Sequence, residues 1–320
     1  MNKKKKIFCT LGPSTFNKDF LKFSNNKISL LRLNMSHVAI NKLKRKIKFI
    51  RKYSKVPICI DTEGAQIRTI IRKTKKYKTN QKLSIYKNKG NFKIYPNEVF
   101  VKIKSGDLLS IGFDGLEIKI IKVTQNILSC RVIKGGMIES NKGIHLINRS
   151  IKLNFLTEKD KIAISIAKKM NINHYALSFI NTHKDILKFN KLLKNQIKIF
   201  KIETKNALKN LIKIIHAGQN FLIDRGDLSK DISIEKLPFV QRRVLKSAKA
   251  NNKKIYVATN FLESMIRNKY PNIGEANDIY DTLESGAAGL VLAAETAIGK
   301  YPKECVIFLK KIIKIFNYYK

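Results

Sequence analysis

The chain has 320 residues, and its 65 Lys and Arg against 23 Asp and Glu give a net charge of +42. A hydrophobic content of 44% with 17 Phe and 11 Tyr excludes a disordered chain, and the absence of any apolar run near ~20 residues argues against an integral membrane protein. The four cysteines lie far apart among apolar residues, which predicts reduced thiols in a cytoplasmic protein: Cys9, Cys59, Cys130 and Cys305.

Eight short apolar runs recur along the chain, each of the length of a buried strand, and helical patterns lie between most of them. Strand–helix units repeated about eight times and ending on a helix predict an α/β fold, a (β/α)₈ TIM barrel. The predicted strands are Ile7–Thr10, Ser29–Asn34, Val56–Ile60, Ala176–Ile180, Ile197–Ile202, Asn220–Ile223, Lys254–Ala258 and Gly289–Ala293. The predicted helices are Ile40–Ile50, Thr157–Lys169, 182–193, 205–216, 236–250, 274–285 and 303–317.

The repeat of strand–helix units is interrupted after the third predicted strand, where about 85 residues pass before the next helical pattern. This stretch shows alternating apolar and polar residues with turn signals between them. We therefore predict an inserted all-β lid domain at 70–149, with the barrel formed by 1–69 and 150–320. The predicted strands of the insertion include Gln81–Tyr86, Val99–Ile103, Glu117–Val123 and Ile127–Ile133.

The lysines are spread along the whole chain, interleaved with Ile and Asn, and are not gathered in one arm. Neither a zinc-finger spacing nor an aromatic-basic RNA-binding signature is present. The charge therefore indicates compositional drift more than a polyanion partner, and we expect no specific nucleic-acid or membrane partner.

Polar residues follow several predicted strands, where the catalytic groups of a barrel lie. The period-2 alternation places Arg32, Asn34 and Ser36 on one face of the second strand, which is typical of a ligand site. A strand that simply runs into a polar loop is the alternative. Asp61 and Thr62 end the third strand, where a poorly solvated carboxylate needs a cation or donor. A turn-starting Asp is the alternative there.

The fifth, sixth and seventh strands end in a second set of polar residues. Lys201 and Glu203 share one face and are either a structural ion pair or a phosphate-neutralising ammonium beside a metal carboxylate. Gly226 permits close approach of a ligand to the backbone, and Asp227 offers a second hard oxygen ligand for Mg²⁺, although it equally suits a turn. Thr259 is equally well explained as a helix N-cap.

Ordered along nearly the whole chain, a set of short segments resembles the pyruvate kinase family. The matching segments are Lys6–Ser14, Arg32–His37, Asp61–Arg68, Phe113–Gly115, Gly135-Gly136, Lys142-Gly143, Ser178-Phe179, Lys201–Glu203, Arg225–Leu228, Ala258-Thr259, Leu262–Met265 and Glu295–Pro302. The resemblance implies phosphoryl transfer from phosphoenolpyruvate to ADP, giving pyruvate and ATP, with the inserted domain closing over the site to exclude water.

The resemblance also implies roles for individual residues. Lys201, Arg32 and Thr259 would be catalytic, with Thr259 near the point where the enolate is protonated. Glu203 and Asp227 would hold Mg²⁺ or Mn²⁺. The substrate would be bound by Lys201, Gly226, Asp227 and Thr259. The ligands of K⁺ would be Asn34, Ser36, Asp61 and Thr62, and the nucleotide-binding residues would be Asn34, His37 and Arg68.

Several positions depart from the family pattern. Glu63 stands in place of Lys, Asp224 in place of Ala, and Gln66 in place of a Glu that influences the need for K⁺, so dependence on K⁺ stays open. The chain ends on the predicted eighth barrel helix, so we expect the family's C-terminal regulatory domain and its allosteric control to be absent. A homo-oligomer through the barrel helices is compatible with this. Other departures are Asn181, Asn272–Gly274 and Ala293-Ala294.

Two further hypotheses stay open at this point. A catalytically decayed paralogue would keep the fold as a binding protein, since Glu63, Asp224 and Ala293 alter the surroundings of the site. A barrel enzyme acting on another phosphoenolpyruvate- or pyruvate-related substrate would retain the metal ligands with altered neighbours.

Overall fold

The computed structural model describes residues 5–112, 115–149, 151 and 153–319. Two compact units are present, one formed by Met1–Gly64 with Glu158–Lys320 and the other by Ala65–Thr157. The barrel unit therefore ends at residue 64 and resumes at residue 158, whereas the sequence analysis predicted that it ends at 69 and resumes at 150. Within the matching segment Phe113–Gly115, Phe113 and Asp114 lie outside the described residues.

Eight parallel strands close into a barrel in the first unit, which confirms the predicted fold class. Each strand pairs with its neighbours in chain order, and the first strand closes the ring against the eighth through the register Lys6↔Gly289. The barrel strands are, in order, Lys6–Thr10, Leu30–Asn34, Ile58–Asp61, His174–Leu177, Ile197–Ile202, Asn220–Asp224, Lys254–Ala258 and Gly289–Leu292.

All eight strands contribute to one buried apolar cluster, which fills the barrel interior as in other barrels of this type. Its members are Phe8, Leu30, Cys59, Ala176, Ile199, Leu222, Tyr256, Ala258 and Val291. Because side chains alternate between the two faces of a strand, the residue two positions later points inward as well. The next inward positions of six strands are polar. One is Thr10, whose hydroxyl donates to the Leu292 carbonyl oxygen, and the other five define the candidate site: Arg32, Asp61, Ser178, Lys201 and Asp224.

The predicted helices are present, with one of them divided, and three short helices were not predicted: Lys18–Ser24, Arg225–Leu228 and Ala294–Ala297. The stretch 205–216 forms two helices, because Asn210 leaves helical geometry with φ −100° and ψ 13°. The helix at Lys18–Ser24 was not predicted, since seven residues are too few to show a period. The α-helices are Lys18–Ser24, Ile40–Tyr53, Glu158–Lys169, His183–Leu192, Lys205–Lys209, Leu211–Ala217, Arg225–Leu228, Leu237–Ala250, Ile273–Glu284, Ala294–Ala297 and Pro302–Tyr318.

Within its described residues, the second unit is built from antiparallel strands, seven in one sheet and two in another. The predicted strand Val99–Ile103 is wrong, because a 3₁₀ helix covers Asn97–Lys102 and buries the consecutive residues Val99 and Phe100. Further 3₁₀ helices of the chain are Ile234–Lys236 and Glu263–Ile266. The strands of the unit are Ile67–Ile71, Lys75–Tyr77, Lys82–Tyr86, Phe92–Tyr95, Leu108–Ile111, Leu116–Val123, Ile127–Lys134, Gly136–Ile138 and Gly143–Leu146.

Among the helices of the described residues, none combines the length and the apolar character required to cross a membrane.

Candidate active site

A buried ion-pair network occupies the polar layer at the carboxyl ends of the barrel strands. Lys201 Nζ lies 2.7 Å from Glu203 Oε1, and 3.5 Å from both Asp61 Oδ2 and Asp224 Oδ2. Arg32 Nε lies 3.4 Å from the same Asp61 oxygen. All five residues are at most 5% exposed. The strand alternation thus brings together two cations and three carboxylates that are far apart in the chain.

The network keeps its cations charged. Burial by itself would lower the pKa of Lys201, but the surrounding carboxylates, Asp61 first, outweigh it and raise that pKa. The pKa of Arg32 is raised in the same way: burial lowers it, and the nearby acidic groups, Asp61 first, together outweigh burial. Burial raises the pKa of Glu203, the Lys201 ammonium opposes that rise, and the carboxylates of Asp227 and Asp224 add to it. The network contains three carboxyl groups and two cations.

Ser178 is a member of the network for which the sequence analysis assigned no role. Its hydroxyl accepts a hydrogen bond from Lys201 Nζ at 3.1 Å and donates one to the Thr62 carbonyl oxygen at 2.7 Å. The next backbone N–H, that of Phe179, donates to Glu203 Oε2 at 2.6 Å. The sequence signal was available in the pair Ser178-Phe179, which follows the fourth strand at the position where the other strands carry their polar groups.

Three carboxylates form the cluster best suited to a metal ion among the described residues. Glu203, Asp224 and Asp227 each present an oxygen, and these oxygens lie within 4.8 Å of one another. Glu203 Oε1 is buried, and its partner among the described residues is the Lys201 ammonium at 2.7 Å. Asp227 Oδ1 lies 2.6 Å from Lys230 Nζ. Hard oxygen ligands with a surplus of negative charge fit Mg²⁺ or Mn²⁺, so the residues are suited to the metal that the resemblance implies.

Thr259 and the backbone after the sixth strand are linked. The Gly226 N–H donates to Thr259 Oγ1 at 2.9 Å, and Arg225 donates to the Thr259 carbonyl oxygen and pairs with Asp278 at 2.7 Å. Thr259 has φ +74°, a strained region for a β-branched residue. The hydrogen bonds that Arg225 and Gly226 donate to its carbonyl and hydroxyl oxygens hold it in this conformation.

The four residues implied as K⁺ ligands occupy two adjacent strand ends. Asn34 and Asp61 are register partners on the second and third strands. The Asn34 side-chain oxygen accepts from the Ser36 N–H at 3.0 Å, and Thr62 Oγ1 accepts from the Ser178 N–H at 3.0 Å. The two strands therefore bring oxygen-bearing side chains to the same edge of the barrel.

The implied nucleotide-binding residues are divided between the two units. His37 is exposed in the turn after the second barrel strand, next to Ser36. Arg68 belongs to the second unit, where its Nη1 donates to the Asn141 carbonyl oxygen at 3.2 Å. The structure therefore does not bring these two residues together within one unit.

The charge reversal at Glu63 is compensated within the barrel unit. Glu63 Oε2 lies 3.1 Å from Lys159 Nζ. The buried Asp160 carboxylate, on the same helix, accepts hydrogen bonds from the backbone N–H groups of Glu63 and Gly64 at 2.8 and 3.0 Å. Gly64 has φ +69°, and a Cβ on it would lie 2.7 Å from the Ser178 carbonyl oxygen. The loop after the third strand is therefore held tightly despite the departure from the family pattern.

Glu295 supports the backbone at the end of the eighth strand. It is 1% exposed and accepts hydrogen bonds from the N–H groups of Ala293 and Leu262, at 2.7 and 3.4 Å. Its carboxylate therefore connects the loops that follow the seventh and eighth strands.

Known proteins resemble the chain along almost its whole length. The model of the family described as pyruvate kinase, barrel domain, matches residues 2–306. A pyruvate kinase of Thermotoga maritima is 31% identical over 326 residues, covering 97% of this chain and 70% of that protein. One from Clostridium perfringens is 31% identical, with coverage of 98% and 70%. One from Staphylococcus aureus is 30% identical, with coverage of 97% and 56%.

The comparisons and the geometry point the same way. The family model spans the barrel strands and the inserted antiparallel unit alike, and the buried Lys201–Glu203 pair lies in a segment that carries the resemblance. With its eight-stranded barrel and these relatives, the chain belongs to the pyruvate kinase family.

Proposed function

We propose that the protein is a pyruvate kinase, transferring the phosphoryl group of phosphoenolpyruvate to ADP. The observation that carries this proposal is the buried Lys201 ammonium, 2.7 Å from Glu203 and beside the carboxylate cluster completed by Asp227. Phosphoryl transfer depends on positioning and on neutralising charge more than on covalent chemistry, and this site is built from charges held in place.

In this proposal Glu203 and Asp227 hold Mg²⁺ or Mn²⁺. When bound, the metal neutralises negative charge on the substrate oxygens and helps to orient them. The fit is supported by the three carboxylate oxygens of Glu203, Asp224 and Asp227, which lie within 4.8 Å of one another. Asp227 would exchange its contact with Lys230 for the metal.

Lys201 and Arg32 neutralise the charge on the transferring phosphoryl group. Both are buried and charged, so they cost no reorganisation when the charge develops. Ser178 and Asp61 hold the Lys201 ammonium from one side, which limits its movement toward solvent. The phosphorus–oxygen bond of phosphoenolpyruvate breaks, a terminal oxygen of ADP takes the phosphoryl group, and the enolate remains.

Gly226, Asp227 and Thr259 position the three-carbon part of the substrate. The amides of Gly226 and Asp227 bind its carboxylate, for which the Gly226 N–H would exchange its bond to the Thr259 hydroxyl. The released hydroxyl would then lie near the carbon that takes a proton when the enolate becomes pyruvate. The oxygens of Asn34, Ser36, Asp61 and Thr62 would bind K⁺, while His37 and Arg68 would contact the nucleotide.

The test is pyruvate formation from phosphoenolpyruvate and ADP with Mg²⁺, in the presence and absence of K⁺. We expect turnover that falls by at least 1,000-fold in Lys201→Met and Glu203→Gln, in line with the loss of preorganised charges. Lys246→Met, which removes an exposed lysine of the helix Leu237–Ala250, is the matched control and should keep full activity. Folded protein that forms no pyruvate above the Glu203→Gln level would overturn the proposal and favour the decayed paralogue.

A further inference from the structure

Asp224 is a carboxylate that neither the family pattern nor the proposed mechanism uses. It ends the sixth barrel strand, two positions after the inward-facing Leu222, and the alternation therefore directs its side chain into the barrel mouth. The residue is only 5% exposed. An ionised carboxylate in such a position is costly unless it has a partner.

The partners of Asp224 within the described chain are few. Its carboxylate accepts no hydrogen bond from a described residue. Among those residues its nearest cation is Lys201, at 3.5 Å, and the Arg32 charge also interacts with it. That distance exceeds the roughly 2.7–2.9 Å of a charge-assisted hydrogen bond. Lys201 is closer to Glu203, at 2.7 Å, so the ammonium is shared unequally. Asp224 is therefore buried with incomplete compensation.

The position of Asp224 indicates which group would compensate its negative charge. One of its oxygens lies within 4.8 Å of oxygens from both Glu203 and Asp227, the two residues assigned to the divalent cation. Carboxylate oxygens are preferred ligands of Mg²⁺ and Mn²⁺, and the number of charged ligands tunes affinity. Without a metal ion, the third carboxylate is repelled by Glu203 and Asp227, and its attraction to Lys201 at 3.5 Å offsets this only in part.

We propose that Asp224 is a third carboxylate of the divalent-cation site, so that this chain binds Mg²⁺ or Mn²⁺ before any substrate is present. The inference deepens the proposed function, because it concerns the same metal site. It predicts tight metal binding by the free protein, since three carboxylates replace part of what substrate oxygens would otherwise contribute.

The experiment is a titration of the full chain with Mn²⁺, followed by the electron paramagnetic resonance signal of free Mn²⁺, without phosphoenolpyruvate or ADP. Mg²⁺ is then added in competition. We expect Asp224→Asn and Asp224→Ala to raise the Kd for both metals at least ten-fold. Asp281→Asn removes the same charge from an exposed position on the helix Ile273–Glu284 and should leave the Kd unchanged. Equal Kd values, within two-fold, for the parent and both Asp224 variants would overturn the proposal.

A second comparison separates metal binding from an indirect effect through the lysine. In a Lys201→Met background, Asp224→Asn should still weaken Mn²⁺ binding at least five-fold. Disappearance of the effect in that background would mean that Asp224 acts only by holding Lys201, and the proposal would fail. Thermal unfolding of each variant identifies loss of fold. A chain that binds Mn²⁺ through Asp224 yet forms no pyruvate would refute the kinase proposal alone.

Discussion

The Ser178 hydroxyl accepts a 3.1 Å hydrogen bond from the Lys201 ammonium, and thereby connects the fourth and fifth strands of the barrel at the site. The same hydroxyl donates to the Thr62 carbonyl oxygen, on the loop after the third strand. One small side chain thus joins three consecutive strand ends. Its effect on the chemistry would be exerted through Lys201, which makes it a positioning residue.

Replacing Ser178 by Ala should separate positioning from folding. The Thr62 carbonyl loses a donor and Lys201 loses an acceptor, so we expect about 1–2 kcal/mol less stability. Turnover should fall by roughly ten-fold while KM for phosphoenolpyruvate changes less, since charge neutralisation matters most in the transition state. Steady-state kinetics and chemical denaturation measure both effects.

Ser247→Ala is the matched control. The Ser247 hydroxyl is buried on the helix Leu237–Ala250 and has no hydrogen-bond partner within the described part of the chain. Its removal therefore breaks no hydrogen bond and should leave both stability and turnover within error. Unchanged turnover in Ser178→Ala would show that Lys201 does not need the serine.

Asp160 anchors the loop that carries the Glu63 departure. Its two carboxylate oxygens each accept one backbone N–H, from Glu63 and Gly64. In Asp160→Asn an amide nitrogen would face one of these N–H groups, and we expect a loss of about 1–3 kcal/mol in the free energy of unfolding. Glu158→Gln changes the same charge in the same helix turn, at a side chain that is 82% exposed, and should cost less than about 0.5 kcal/mol. Equal stability of the two variants would contradict the anchoring role.

His174, at the start of the fourth barrel strand, links stability to pH. Burial, aided by the Lys6 charge, lowers the pKa of His174. The unfolded chain then binds more protons than the folded one between the folded pKa and the ordinary value of about 6.5. The contribution of His174 to the free energy of unfolding is therefore fully present above about pH 6.5 and is lost as the pH falls toward the folded pKa.

The variant His174→Gln should remove this contribution. The difference in unfolding free energy between pH 7.5 and pH 5.5 should be smaller in the variant than in the parent chain, since other titrating groups are common to both. Urea denaturation at the two pH values provides the measurement. Parallel pH profiles of parent and variant would show that His174 does not carry the linkage.

The local pattern of apolar residues was sufficient to predict most of the barrel strands and helices. Buried parallel strands have short apolar runs as their sequence pattern, so segments such as Lys254–Ala258 could be recognised between the helical patterns. The pattern failed at Val99–Ile103, because a 3₁₀ turn that buries consecutive apolar residues looks like a strand. It also failed at Asn210, where one residue interrupts a helix without disturbing its apolar spacing.

The sequence by itself determined that Lys201 and Glu203 share one face at the end of a barrel strand, because side chains alternate along a strand, but it left the direction of Asp224 open. Only the tertiary structure decided which of those side chains meet. The register between neighbouring parallel strands, such as Lys201↔Leu222, sets how far each strand end extends. That register places Asp224 beside Glu203 and within 3.5 Å of Lys201, where a departure from the family pattern becomes part of the charged site.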